Sequence, residues 1–266
     1  MGILNATPDS FSDGGRFLGL EAALARAEAM IAQGADVLDI GGESSRPGAT
    51  PVSEAEELAR VIPLIRALGR RGGIPLSIDT RKPAVARAAV AAGATMWNDV
   101  TGLTGAPDSL DTAAALGCDI VLMHMRGEPA TMQKAPRYDD VVGEVFGWLS
   151  ARAEAAQAAG VARERIWLDP GIGFGKTTAH NLALLGALER LVGLGFPVLL
   201  GASRKGFIRA IDPVATEATD RLGGSLAIAL AGRQAGCAMV RVHDVRETVQ
   251  AFKLAARIDS ARAANV

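Results

Sequence analysis

The feature that most constrains this chain is an alternation that runs its whole length. Short apolar runs stand at residues 1–4, 37–40, 75–78, 95–97, 119–123, 166–168, 197–200 and 238–240. Between them lie Ala-rich or amphipathic stretches with helical spacing: 22–33, one opening at Ser53, then 83–93, 109–116, about 140–159, 182–194, 221–235, and a last one from Val245. The stretch after Ser53 sets Leu58, Ile62, Ile65 and Leu68 on one face, a period near 3.6, and Ser53 with Glu56 reads as a capping box. Strands that alternate with helices make a parallel sheet. About eight such units in 266 residues predict an α/β fold, a closed (β/α)8 TIM barrel occupying 1–266 as a single domain. An open doubly wound sheet is the alternative, and the eightfold count disfavours it. The units share pattern but not sequence, so the chain is not a solenoid.

Composition removes several function classes. With 28 basic and 29 acidic residues the net charge is −1, which gives no reason to expect nucleic-acid binding. No apolar run approaches the ~20 residues of a membrane span, and the N-terminus lacks the pattern of a signal peptide. Cys118 and Cys237 sit in no metal or redox spacing and read as reduced thiols, in keeping with a cytoplasmic protein.

A closed barrel builds its active site at the C-terminal ends of its strands. Asn5, Asp79, Asn98, Asp169, Lys205, Arg241 and His243 all fall at or just beyond such an end. Helix capping puts Asp and Asn there too, but capping does not explain seven polar residues spread over so many units. Asp79, Asn98 and Asp169 offer acceptors to paired N–H donors, and Lys205 offers a charge for a carbonyl oxygen or ring nitrogen. Two buried carboxylates facing one Lys await a ligand, and the edge of an aminopyrimidinone has the matching pattern. A structural Asp–Lys pair across the mouth is the alternative. Arg241 and His243, two residues apart, point to an anion site, with a capping role for His243 beside Asp244 as the alternative.

The stretch Asp169-Pro170-Gly171-Ile172-Gly173-Phe174-Gly175-Lys176 follows the sixth strand, with three glycines that suit a tight turn or a close approach to ligand. Gly175-Lys176-Thr177 imitates the end of a nucleotide P-loop, but that motif needs Gly at position 170, which is Pro. Residues 5–15 and 41–49 are polar, Gly- and Pro-containing loops of the kind that cover barrel sites. Asn5 is a neutral oxygen donor suited to Mg²⁺ that is otherwise held by phosphate and water. The loop 125–133 carries no assigned chemistry, His124 reads as a core or capping residue, and His180 as solvent-facing.

Taken in order, Asn5-Ala6-Thr7-Pro8-Asp9-Ser10-Phe11, Gly42-Glu43-Ser44-Ser45-Arg46-Pro47-Gly48, Ser77-Ile78-Asp79-Thr80, Asn98-Asp99-Val100, Met123-His124-Met125, the 169–175 stretch, Ser203-Arg204-Lys205 and Arg241-Val242-His243-Asp244-Val245 resemble the dihydropteroate synthases of the folate pathway, essentially end to end. The resemblance implies that 4-aminobenzoate displaces diphosphate from (7,8-dihydropterin-6-yl)methyl diphosphate. It implies that Asp79, Asn98, Asp169 and Lys205 hold the pterin, that Arg241 and His243 hold the diphosphate, and that Asn5 touches Mg²⁺. Ser45, Arg46, Pro47, Phe174 and Ser203 would border the aminobenzoate site, where sulfonamides compete. Lys205, Arg46, Asp79 and Asp169 are the candidate catalytic residues, and a homodimer is the expected assembly. Ser45 stands where the family more often has Thr, and the chain begins almost on its first motif. The rival readings are a pterin-dependent methyltransferase, a non-catalytic pterin-binding paralogue, and a phosphate-handling barrel with a Schiff-base Lys205. The first two should lack loops or ligands that are present here.

Overall fold

The structure is a computed structural model and describes residues 1–6, 15–44 and 50–264, for 15–18 the backbone alone. Eight strands follow one another: β1 (Gly2–Asn5), β2 (Leu38–Gly41), β3 (Leu76–Asp79), β4 (Met96–Asp99), β5 (Asp119–Met123), β6 (Ile166–Asp169), β7 (Leu199–Leu200) and β8 (Met239–Val240). The helices between and after them are α1 (Gly15–Ala32), α2 (Glu54–Arg71), α3 (Pro83–Ala91), α4 (Ser109–Leu116), α5 (Val141–Ala158), α6 (Thr178–Gly186), α7 (Leu188–Val192), α8 (Phe207–Ile211), α9 (Leu222–Gln234) and α10 (Val245–Ala263).

Strands β1 to β6 pair in sequence order, all parallel, and β7 pairs with β8. Parallel bridges Leu168↔Val198 and Gly2↔Val242 join these two sheets on both sides, with Ile3 N donating to Val242 O at 3.0 Å. The sheet therefore has no open edge. It is a (β/α)8 barrel, and the doubly wound alternative falls away.

The two faces of each strand do different work, because side chains alternate along it. Leu38, Ile40, Leu76, Ile78, Trp97, Ile120, Leu122, Ile166, Leu168 and Leu200 pack outward with the helices in one cluster to which every strand contributes. The alternate positions Met1, Val37, Met96, Val121 and Leu199, with Trp167 and Met239 against them, form a separate apolar plug inside the barrel. Two residues further along the same strands the inward set becomes Asp39, Asn98, Asp169 and Arg241. The period-2 alternation thus converts an apolar floor into a polar mouth.

Local details differ from the sequence reading in several places, beginning with α1, which starts at Gly15 and not at residue 22. The core face of α2 is Val61, Leu64, Ile65 and Leu68 together with Glu57, while Leu58 and Ile62 only flank it. Ser53 caps α2 by accepting from Glu56 N at 3.2 Å, but Glu56 turns away to pair with Arg60. The stretch 182–194 starts earlier, at Thr178, and breaks at Ala187 into α6 and α7. His180 does not simply face solvent. Its Nδ1 accepts from Thr177 N at 3.2 Å and its own N–H donates to Thr177 Oγ1 at 3.2 Å, which closes a capping box on α6. Cys118 and Cys237 are free thiols, both pushed up to about 11 by burial, which disfavours the thiolate at neutral pH.

Candidate active site

Polar side chains from six strands meet at the C-terminal mouth of the barrel. Arg241, just past β8, lies at the centre of the contacts. Its Nε donates to Asp39 Oδ2 at 2.5 Å and its NH2 to Asp79 Oδ2 at 2.7 Å. Asn98 Nδ2 donates to the same Asp39 oxygen at 3.3 Å. Residues of β2, β3, β4 and β8 touch one another this way only across the barrel interior.

Two glycines keep this space open. A Cβ at Gly201 would stand 3.3 Å from Asp169 Oδ2 and 3.8 Å from Arg241 Cδ, which places Asp169 beside Arg241. A Cβ at Gly41 would stand 3.6 Å from Asp79 Cβ and 3.9 Å from Asn5 Oδ1, which places Asn5 on the same rim. Larger residues at either position would fill the mouth.

The turn after β6 supplies the other wall. Gly171 N donates to Asp169 Oδ1 at 2.7 Å and so aims the carboxylate. Lys205 Nζ lies 3.8 Å from the centroid of the Phe174 ring, a cation–π contact. A Cβ at Gly173 would come within 3.1 Å of Lys205 Cδ, so the Lys stem lies along the turn. Ser203 Oγ is 3.1 Å from His243 Nδ1 and accepts from His243 N at 3.2 Å. Asp79, Asn98, Asp169, Phe174, Ser203, Lys205, Arg241, His243 and Asn5 are therefore at one end of the barrel. Ser45, Arg46 and Pro47, and the greater part of both cover loops, lie outside the described residues.

The charge pairing differs from the expectation of two carboxylates facing one Lys. Asp79 is neutralised by Arg241, which also holds Asp39, and Lys205 acts on Asp169. Burial is the main force on both carboxyls. It raises Asp79 to about 7, opposed by Arg241 and assisted by the negative charges of Asp39, Glu57 and Asp99. It raises Asp169 to about 6, opposed by the Gly171 amide and by Lys205, Arg241 and Lys176. Carboxyls raised by burial beside specific charges in a cleft mark candidate functional positions.

Asp39 was not singled out from the sequence, yet it is fully buried, and its Oδ1 finds no hydrogen-bond partner among the described residues. The signal was there: an acid between Leu38 and Ile40, inside an apolar strand, on the parity that points inward. Glu57 was missed as well. It is fully buried under the start of the second cover loop, where Lys82 Nζ donates to its Oε2 and also binds Glu43. Arg81 NH2 reaches Glu43 at 3.2 Å, and Arg60 NH1 donates to Gly42 O at 2.7 Å. This network fixes residues 42–43, where the described part of that loop begins.

Among the described residues there is no group of three His, Cys, Asp or Glu that could hold a metal. Asn5 at the rim is compatible with a hard cation that takes most of its oxygens from a bound ligand and water. Nor is any helix of the described residues long and apolar enough to cross a membrane.

Fold and site together define an enzyme of the closed (β/α)8 class, whose mouth presents buried acids, an amide and two cations to a small polar-edged ligand. The chain belongs to the pterin-binding enzymes, whose family model matches residues 1–243, and among them to the dihydropteroate synthases. It is 46% identical over 254 residues to the dihydropteroate synthase of Escherichia coli strain K12, which covers 96% of this chain and 89% of that protein. It is 49% identical over 257 residues to that of Synechocystis sp., covering 96% and 88%. The Xanthomonas albilineans dihydropteroate synthase with 4-aminobenzoic acid superposes with a TM-score of 0.91 at 50% identity, covering 97% of this chain and 92% of that one. The Yersinia pestis enzyme in a sulfonamide drug complex gives 0.91 at 44%, covering 98% and 94%.

Proposed function

We propose that this mouth joins 4-aminobenzoate to a dihydropterin, releasing diphosphate from (7,8-dihydropterin-6-yl)methyl diphosphate and forming 7,8-dihydropteroate. The observation that carries this is the meeting at one rim of Asp79 and Asp169 beside Arg241, with Asn98 joined to them through Asp39 and Lys205 acting on Asp169. A dihydropteroate synthase of Xanthomonas albilineans has been solved with 7,8-dihydropteroate, at a TM-score of 0.88 and 47% identity to this chain.

The chemistry follows from the charges. The attacking aniline nitrogen is weakly basic, so bond breaking to the diphosphate must run ahead of bond making. The carbon–oxygen bond of the exocyclic methylene breaks, its electron pair leaves with the diphosphate, and the amine nitrogen forms the new bond and then loses a proton. Asp169 and Asp79 favour the positive charge that the pterin ring spreads from that carbon. Arg241 and His243 hold the departing anion. Asn5 would contribute one ligand to Mg²⁺, which would supply further charge neutralisation on the diphosphate. No residue forms a covalent bond to substrate, so a pterin adduct trapped on Lys205 would contradict this route. Ser45, Arg46 and Pro47 border the aminobenzoate in this reading, beside Phe174 and Ser203. The assembly is a homodimer in the cytoplasm; exposed apolar side chains such as Leu182, Ile211 and Leu254 and the two free thiols are in keeping with this.

Asp169→Asn tests the ring site with little disturbance of the turn. The amide keeps an oxygen for Gly171 N but puts a donor where, in this reading, Oδ2 accepts from the pterin ring. Affinity for the dihydropterin diphosphate should fall by about 1–3 kcal/mol, roughly 5- to 150-fold. Unchanged affinity by calorimetry would remove Asp169 from the pterin site. The broader test is product formation from the two substrates, with and without Mg²⁺.

The raised carboxyls also give a pH dependence. Ring N–H donors require ionised acids, whereas Asp169 and Asp79 hold protons below about 6 and about 7. Pterin affinity should therefore rise from pH 5 to 7, by up to about tenfold per pH unit for each proton released. Without ligand the sign reverses. The native state binds these protons and the unfolded chain does not, so the stability they contribute is present at low pH and lost as pH rises through about 6 to about 7. Calorimetry in buffers of different ionisation enthalpy counts the protons, and an affinity flat from pH 5 to 8 would contradict the assignment.

A further inference from the structure

Three successive carbonyls of the turn after β6 each receive a side-chain donor. Gln133 Nε2 donates to Gly173 O at 2.5 Å, Lys176 Nζ to Phe174 O at 3.0 Å, and Tyr138 Oη to Gly175 O at 3.0 Å. Loop carbonyls at a surface can use water instead. Side-chain donors on three consecutive ones mean that the path of this turn is specified.

Lys176 is the buried member, only 3% exposed, an unusual place for an ammonium. Its Nζ is 3.0 Å from His124 Nδ1 and donates to His124 O at 3.2 Å, besides Phe174 O. Burial lowers its pKa to about 7, and the three acceptors within reach match the three protons of its charged form. Burial holds His124 down to about 3, assisted by Lys176, so its ring is neutral and Nδ1 can accept. Lys176 thus ties the end of β5 to the turn after β6. Gln133 and Tyr138 come from the segment after β5, in which no residue pattern pointed to chemistry.

What the turn carries is the Phe174 ring, 3.8 Å from Lys205 Nζ, and Gly173, which supports the Lys205 stem. We propose that Gln133, Lys176 and Tyr138 are positioning residues that clamp residues 173–175 and thereby set Phe174 and Lys205 for the two substrates. None of the three needs to touch a substrate. The proposal rests on the functional reading above for its kinetic consequence, but not for its structural one.

The test uses the full chain with Lys176→Met, Tyr138→Phe and Gln133→Ala, each alone and combined with Phe174→Leu. Lys176→Met should lower kcat/KM for 4-aminobenzoate at least tenfold, and Tyr138→Phe and Gln133→Ala about three- to tenfold each. In the Phe174→Leu background the same substitutions should cost at least threefold less than in the wild type, because a clamp acts in part through the ring it positions, the remainder passing through Lys205. Equal losses in both backgrounds would overturn the proposal, as would wild-type kcat/KM in the single variants. Gln133 is exposed and Tyr138→Phe removes one oxygen, so these two decide the matter if Lys176→Met does not fold. Amide hydrogen exchange at 173–175 should quicken in all three, and exchange at the wild-type rate would overturn the clamp whatever the activity. Wild-type enzyme that makes no dihydropteroate would refute the function instead, leaving the exchange result to stand by itself.

Discussion

Replacing Arg241 by Met should lower turnover at least about 10²-fold and cost the protein about 3–5 kcal/mol of stability at pH 8, the usual penalty for breaking one side of a buried ion pair. The reason lies in the acids it leaves behind. Asp39 is fully buried and the side chain of Asp79 is 13% exposed, and Arg241 is the cation bonded to both. Asp39 has no route to water, since it stands on a strand inside the barrel, and Asp79 has little. They would have to take up protons, and Asp79 is already held up to about 7 by burial with Arg241 present. The sign of the pH effect follows. A carboxyl whose native pKa is raised contributes stability at low pH and loses it as pH rises, so the variant should be closest to wild type near pH 5 and fall away above about 7. Urea unfolding at pH 5 and pH 8 measures this directly. A deficit of equal size at both pH values would mean that lost packing, not uncompensated charge, accounts for the change. On the catalytic side, loss of a preorganised charge on a leaving anion costs about 10²–10³ in kcat. Turnover within tenfold of wild type would show that Arg241 does not hold the diphosphate.

Gly171→Ala is expected to be as damaging, and for a reason unconnected with charge. Gly171 has φ +66°, and a Cβ there would lie 1.9 Å from the carbonyl oxygen of His124 and 3.0 Å from its carbon. That oxygen cannot withdraw, because the His124 peptide ends β5 and His124 N donates to Asp169 O at 3.1 Å. The conformation alone costs an L-residue about 1–2 kcal/mol, and separating β5 from the turn would break the Lys176 and Asp169 contacts as well. A total above about 4 kcal/mol places the variant among the exceptional single substitutions. It should be recovered unfolded, or folded with the melting temperature lowered by well over 5 °C. Gly147 is the control. It lies on the exposed side of α5, and a Cβ there would meet nothing within 4 Å, so Gly147→Ala should gain about 0.5–1 kcal/mol. Similar melting temperatures for the two variants would refute the steric argument.

Much of the site was legible in the chain because strand ends are legible. Asp79, Asn98 and Asp169 each follow an apolar run, and a closed barrel sends all such positions to one rim. Asp39 escaped attention because it interrupts its apolar run instead of following it. Only the parity that separates Asp39 from Leu38 and Ile40 marks it as inward-facing, and parity is informative only once the sheet is known to close. Lys176 escaped for the opposite reason. Its neighbours Gly175 and Thr177 suggested a phosphate loop, and ruling that out left a basic residue that would ordinarily be read as exposed. Its burial depends on His124, 52 positions earlier, whose carbonyl and ring nitrogen are brought to it by the pairing of β5 with β6.

The sequence by itself determined the eightfold alternation, the parallel order of the strands and the placing of polar residues at their C-terminal ends, because hydrophobic period and punctuation are local properties. Which cation answers which acid was decided by the tertiary structure. Arg241 and Asp39 are 202 residues apart, and Arg241 and Asp79 are 162 apart. Their pairing exists because β8 closes onto β1 and turns the arginine across the barrel, leaving Lys205 to Asp169. Coulomb attraction within a buried mouth is governed by distance in space, and only closure of the sheet fixes that distance.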